Sequence, residues 1–323
     1  MDQVINPFLT FGYEGPEYFC DRENETETLT RLLVNGNNVA LISPRRMGKT
    51  GLLHHCFNQT DIQAHYNTFI VDIYATKTLE DFVFQMGKVI VDRLRPMGRS
   101  AIDRFLQIVT SLQTGISFDG NRNASWNIGV GDIKNPGYTL DEIFHYLQAS
   151  EKRCIVAIDE FQAIGLYPDA NIEARLRTYV QECRNAVFVF SGSQRHMMNE
   201  MFSSPARPFY QSVTIMNIGA IALDKYVEFA KYHFNKGGKS VENGVVEKIY
   251  DSFEATTWYV QKLLNELYSL TSVGGNCQLA MIDVALNNIL SSSEPTYQET
   301  MFQLTTKQMS LFRAICKEGK VSQ

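Results

Sequence analysis

Short runs that are apolar throughout alternate, along the first two thirds of the chain, with longer stretches in which apolar residues recur every third or fourth position. The run NNVALIS, ending at Ser43, is β-rich and leads through a loop into KTGLLHHCF, which has a helical pattern. A second buried strand is expected over Thr68 to Tyr74 (TFIVDIY), then a helix from about Leu79 to Arg95 whose Phe82, Phe84, Met86, Val89, Ile90 and Leu94 suit a buried face. Next come a periodic stretch, Ile102 to Leu112, and the polar SFDGNRNASWNIGVGD, in which Asp119-Gly120 reads as a hairpin turn between two alternating arms. Together they read as an insertion over about 101–135.

Alternation resumes with a helix around Leu140 to Ser150, a strand at Cys154 to Ile158, a helix from about Asn171 to Cys183 and a strand at Ala186 to Phe190. A further extended run, Ser212 to Ile218, supplies a fifth strand. Strands apolar on both faces and separated by helices belong to a parallel sheet, so residues 1–219 are expected to form a doubly wound α/β domain with helices on both faces. Beyond Ala220 only helical patterns occur: Asp224 to Asn235, Glu242 to Phe253, Thr257 to Thr271 and Gln278 to Ser291, broken by Gly237-Gly238 and Gly274-Gly275. This makes 220–295 a small helical domain. From about 300 to 323 a last amphipathic stretch, with Met309, Leu311, Phe312 and Ile315, is too short to bury its apolar face alone. It is expected to open a third domain, cut short.

Composition narrows this little. A chain of 323 residues with 44% hydrophobic and 20% charged positions is that of a folded protein of two domains. A net charge of -5 provides no broad basic surface, so any contact with DNA would be local. Six scattered cysteines without a C-x-x-C pair read as free thiols of a reducing compartment. With no basic start followed by an apolar run, and no apolar stretch of membrane-spanning length, a cytoplasmic protein without membrane contact is expected.

The loop after the first strand carries the clearest chemistry. Binding a phosphate chain takes converging backbone N–H groups, a helix N-terminus, a lysine for the outer phosphates and a hydroxyl for magnesium. SPRRMGKT supplies these through Gly48, Lys49 and Thr50, with Gly51 continuing the helix. Ser43 stands where glycine is usual, Pro44 removes one amide donor, and Met47 completes the loop. Arg45 and Arg46 either meet phosphate oxygens or face solvent and acidic neighbours. At the end of CIVAIDEFQ, Asp159 and Glu160 fall on the C-terminal edge of the sheet, where ligands of open α/β sheets bind. Asp159 suits magnesium, with Thr50, and Glu160 suits activation of water, so ATP and Mg2+ are the expected ligands. His54-His55 sit at adjacent helical positions facing different ways, which disfavours a joint metal site, and Trp126 reads as a packed aromatic.

Taken together, PRRMGKT, IDEFQ, FCDREN, SGSQRHMM and RPFYQSV resemble the archaeal-type P-loop ATPases of the AAA+/STAND branch, common in archaea and Bacteroides-like bacteria. The resemblance implies a five-stranded parallel P-loop NTPase sheet, a small helical lid and the start of a winged-helix domain. It places Phe19, Cys20, Asp21, Arg22 and Glu25 beside adenine, with Asp21 where relatives have glycine, and makes Ser193 a sensor of the γ-phosphate unless it serves only a Ser-Gly-Ser turn. Arg207 occupies the region where relatives carry a phosphate-reaching arginine, and a surface arginine before the following proline fits equally well. The lid helix of relatives is matched by Trp258, Tyr259 and Gln261, whereas their Gly-x-Pro turn is not. Three functions are compatible: an ATP-driven switch with slow hydrolysis, a DNA-associated ATPase using the last domain, and a nucleotide-binding scaffold. A protein partner and a homo-oligomer both remain open.

Overall fold

The computed structural model describes residues 6–118, 124–127 and 129–318. In chain order its elements are α1 (Glu23–Val34), β1 (Val39–Ile42), α2 (Lys49–Phe57), α3 (Thr60–His65), β2 (Tyr66–Asp72), α4 (Leu79–Leu94), α5 (Arg99–Ile108), β3 (Ile116–Phe118), β4 (Ala124–Trp126), α6 (Pro136–Ala149) and β5 (Arg153–Asp159). They continue with α7 (Ile172–Glu182), β6 (Ala186–Gly192), α8 (Arg195–Ser203), β7 (Thr214–Asn217), α9 (Leu223–Lys236), β8 (Ser240–Val241), α10 (Val245–Ser252), α11 (Thr257–Leu270), β9 (Asn276–Cys277), α12 (Met281–Phe302) and α13 (Thr306–Glu318). Two compact units result, one spanning Gly12–Ile221, the other combining the described residues up to Phe11 with those from Ala222 onward.

The first unit is built on a five-stranded sheet of order β2-β5-β6-β1-β7, parallel at every pairing. Successive residues of a strand face opposite sides. Ala40, Ile42, Val156, Ile158, Phe188 and Phe190 therefore enter one core, under α4 to α8, while Val39, Leu41, Ile155, Ala157, Val187 and Val189 enter another with residues of α1, α2 and α3. This is the doubly wound arrangement expected from strands apolar on both faces. Ile42 lies level with Gly192, and Asp72 with Asp159, so the loops after β1, β5 and β6 open along one edge.

Element boundaries differ from expectation where side chains cap the backbone. β2 stops at Asp72 rather than Tyr74 because the Asp72 carboxylate accepts from the Tyr74 amide at 2.8 Å and turns the chain. α4 starts where Thr78 and Asp81 form a reciprocal capping box. In the insertion, β3 and β4 pair antiparallel as the alternating arms suggest, and the expected Asp119-Gly120 turn lies outside the described residues. Glu142 of α6 anchors the chain at its start, its Oε1 accepting from the Thr110 amide at 3.0 Å and its Oε2 from the Ser111 amide at 3.1 Å. Burial pushes this carboxyl up, but hydrogen bonds from residues 110 and 111 outweigh it and hold the group below its ordinary value.

The second unit is not helical throughout, as β8 and β9 form a two-stranded parallel bridge. α10 begins at Val245 rather than Glu242, because Gly244 takes a φ of 88° and its amide donates to Glu247 at 2.9 Å. α12 passes through Pro295 to Phe302, well beyond Ser291: a proline removes one amide donor, and nothing after it in TYQETMF breaks the helix. α13 exposes Leu311, Phe312 and Ile315. The chain's first described residues belong here rather than with the α/β unit. Phe8 is fully buried among the rings of Phe229, His233, Phe234 and Tyr268, Asn265 donates to the Phe8 carbonyl at 2.8 Å, and the Trp258 indole donates to the Thr10 carbonyl at 2.9 Å. Among the described residues, no helix is long and apolar enough to cross a membrane. All six cysteines are free, five of them buried.

Candidate functional site

Ser43 leaves β1 fully buried, with its amide donating to the Gly192 carbonyl at 3.4 Å. The chain then doubles back through Arg46, at φ 67°, and Gly48, at φ 89°, both left-handed. Gly48 caps α2 without a side-chain cap bond, so the first amides of that helix have no partner within it, as anion binding requires. Lys49 is 6% exposed and folds back over the loop, donating to the carbonyls of Ser43 and Pro44, both at 3.2 Å. Burial holds its ammonium below the ordinary lysine value, with Glu160 and Asp159 acting against this and Arg45 with it. A nearly buried cation whose hydrogen-bond partners are neutral oxygens fits an anionic ligand.

The acidic pair faces this loop. Asp159, at the end of β5, is 5% exposed, and its Oδ2 accepts from the Thr50 hydroxyl at 2.6 Å. A hydroxyl and a carboxylate brought together in this way are oxygen ligands of the kind magnesium takes, so the donor set fits that ion. Glu160 takes a left-handed backbone, φ 56° and ψ 40°, and the turn is clamped by buried Phe161, whose ring lies 4.5 Å from that of Phe190. Oε2 of Glu160 accepts from the Ser193 hydroxyl at 2.7 Å and from the Gln162 amide. Arg45 donates to Ser193 at 3.4 Å and stands 5.3 Å from the centroid of the Tyr74 ring, which ties the phosphate loop to the end of β6.

Other expected residues are committed elsewhere. Arg22 is 3% exposed, pairs with Glu25 at 2.5 Å, and donates to the Met47 carbonyl at 3.2 Å and the Gly219 carbonyl at 2.7 Å. Its guanidinium thus braces the phosphate loop against the end of the α/β unit rather than reaching outward. Asp21 and Arg22 are both left-handed, at φ 56° and 75°, which explains why a glycine is suited to position 21. Removing a buried cation that holds a carboxylate and two carbonyls costs about 3–5 kcal/mol. Arg22→Ala should therefore lower the melting temperature by on the order of 10 °C, and a shift of under about 2 °C in a thermal melt would refute the brace.

Arg207 is paired with Glu173 at 2.6 Å and lies 3.8 Å from Glu200. Phe19 packs on the first turn of α2, where a side chain at Gly51 would approach it to 3.2 Å. The same ring stacks on His55 at 4.5 Å, and the Tyr13 hydroxyl is 2.9 Å from His55 Nδ1, all lining an open cavity of about 730 Å³. Burial lowers both His54 and His55 below the usual histidine value. Among the described residues, no group of three His, Cys, Asp or Glu side chains is placed to hold a metal. Sequence reasoning gave no role to Gln162, Tyr74 or Glu173. Only Gln162 left a signal, as the fifth residue of IDEFQ.

A phosphate loop between β1 and α2, an acid pair at the end of β5 and a polar residue at the end of β6 define a P-loop ATPase with an AAA+-type fold. The chain belongs to the family described as an ATPase domain predominantly from Archaea, which matches residues 19–263. No curated protein matches it. Among solved structures, it is similar to the Walker-type ATPase PABY2304 of Pyrococcus abyssi, at 17% identity and a TM-score of 0.61, over 92% of this chain and 79% of that one. The Aeropyrum pernix ORC2 protein, solved as ADPNP-ADP complexes, shares 15% identity at a TM-score of 0.59, over 87% and 70% of the two chains. The ORC1 protein of the same organism, solved in complex with DNA, shares 12% at 0.57, over 94% and 74%. At these identities the likeness is one of fold.

Proposed function

We propose that the protein binds ATP with magnesium, hydrolyses it slowly to ADP and phosphate, and uses the difference between the two nucleotides to switch conformation. The observation that carries this is the 2.6 Å contact of Thr50 with Asp159, beside a Glu160 already oriented by Ser193 at 2.7 Å. Lys49 exchanges its carbonyl partners for the β and γ phosphates, with the amides at the start of α2 beside it. Thr50 and Asp159 would hold magnesium, which would neutralise charge on the phosphate oxygens. Glu160 orients a water and takes its proton as the water oxygen bonds to the γ phosphorus and the bond to the β–γ bridging oxygen breaks. Ser193 commits its one hydroxyl proton to Glu160, so its response to the γ-phosphate passes through that carboxylate. Arg207 receives no step here, since its pairing with Glu173 supports a bracing role. A switch requires contacts that differ between ATP and ADP, and the γ-phosphate contact of Lys49 is the one that would be lost.

A second reading, action on DNA, draws on the exposed apolar side chains of α13, which suit the first helix of a winged-helix domain, and on the DNA complex of the Aeropyrum pernix ORC1 protein. Phosphate release measured with magnesium, with EDTA, and with magnesium plus duplex DNA tests both. Slow release that needs magnesium and ignores DNA is the expected result. Stimulation by DNA would favour the second reading. Tight ATP binding without turnover would leave a scaffold.

A further inference from the structure

We propose that Gln162 is a positioning residue for hydrolysis, fixing the plane of the Glu160 carboxylate so that Oε1 is the oxygen left to meet the attacking water. The inference rests on the ATPase reading of Glu160. Two donors from different elements converge on one oxygen: the Gln162 amide, from the turn after β5, and the Ser193 hydroxyl, at the end of β6 and 2.7 Å away. A carboxylate only accepts, so the amide nitrogen of Gln162 must face it. One donor would leave the carboxylate free to rotate about its last bond. A second, fixed on the same oxygen, sets the direction of the other.

Gln162 is itself held in place. It is 3% exposed, and a Cβ at Gly192 would stand 2.6 Å from its Oε1 and 2.3 Å from the Met198 sulfur. Glycine at 192 is therefore what leaves room for this side chain, a demand of space rather than of backbone angle. Its Oε1 is buried without a hydrogen-bond partner. Packing alone would be served better by a methionine, which fills the same volume and strands no acceptor. What only the amide supplies is the donor to Glu160.

The test compares ATP affinity and single-turnover hydrolysis in the wild type, Gln162→Met, Glu160→Gln and the double variant. Gln162→Met is expected to slow hydrolysis roughly 10- to 100-fold with ATP affinity unchanged within about twofold, as for a misplaced catalytic group. In the Glu160→Gln background the same change should add nothing, because a residue acting through Glu160 has nothing left to position. Wild-type hydrolysis by Gln162→Met, or equal slowing in both backgrounds, overturns the proposal. Should Gln162→Met melt early, Gln162→Leu, which also removes the donor and adds no charge beside Glu160, carries the same comparison. Wild-type turnover by Glu160→Gln alone would instead overturn the reading beneath.

Discussion

Glu160→Gln should slow ATP hydrolysis by about 10²- to 10⁴-fold, the range supplied by a positioned general base, and leave ATP affinity close to that of the wild type. The expectation follows from how the carboxylate is held. Both of its donors, Ser193 and Gln162, end on Oε2. The amide oxygen of a glutamine in the same place can accept both, so the turn clamped by Phe161 is retained. The new amide nitrogen stands where Oε1 was and cannot take a proton from water. Neither Lys49 nor the start of α2 is altered, and Thr50 keeps Asp159 as its partner at 2.6 Å. Phosphate release and equilibrium ATP binding, measured on one preparation, check this. Loss of ATP binding would show that Glu160 helps to hold the nucleotide, contradicting its role as base.

Lys49→Ala should act on the other quantity. Truncating one member of a desolvated, hydrogen-bonded charge pair costs about 2–5 kcal/mol, which is roughly 30- to several thousand-fold in the dissociation constant for ATP. Because Lys49 is 6% exposed, its charge meets the phosphates where water screens little. The protein without nucleotide should suffer less. Lys49 there contacts only oxygens of its own loop, at 3.2 Å to two carbonyls, and its burial already disfavours the charged form. A titration with ATP and a thermal melt separate the two effects. An unchanged dissociation constant would remove Lys49 from the phosphate site.

Much of this site could be read from the sequence, because its parts announce themselves locally. α2 spans Lys49–Phe57, the stretch its pattern marks, since Gly48 fixes where the helix starts. β5 carries its acid pair at the sheet edge because four apolar residues leave only one place for the strand to end. What could not be read is partnership at long range. Arg22 reaches Gly219 across 197 positions, and nothing in FCDREN says which carbonyl its guanidinium will find. The convergence of Ser193 and Gln162 on Glu160 depends on β5 and β6 lying side by side, a fact of sheet order rather than of motif. The burial of Phe8 depends on rings of its own unit that lie more than 200 residues further along the chain. α1, α3 and α8 carry no start signal in the sequence, since Arg22, Gln59 and Gln194 before them make no side-chain cap bond.

The placement of β1 has a consequence for how the chain reaches this state. The strand before the phosphate loop pairs with β6 on one side and β7 on the other. The Asn38 side chain just ahead of it accepts from the Phe188 amide, 150 residues further along the chain. β1 therefore has no neighbour until almost the whole α/β unit has been made. Pairing over such separations has a high closure entropy and makes folding slow. During synthesis Val39–Ile42 waits with both edges open and four apolar side chains exposed, so a nascent chain halted before Ala186–Gly192 should be a strong client for chaperones and prone to aggregate. The nucleotide loop is then among the last parts of the unit to be completed, and ATP can select for the finished fold.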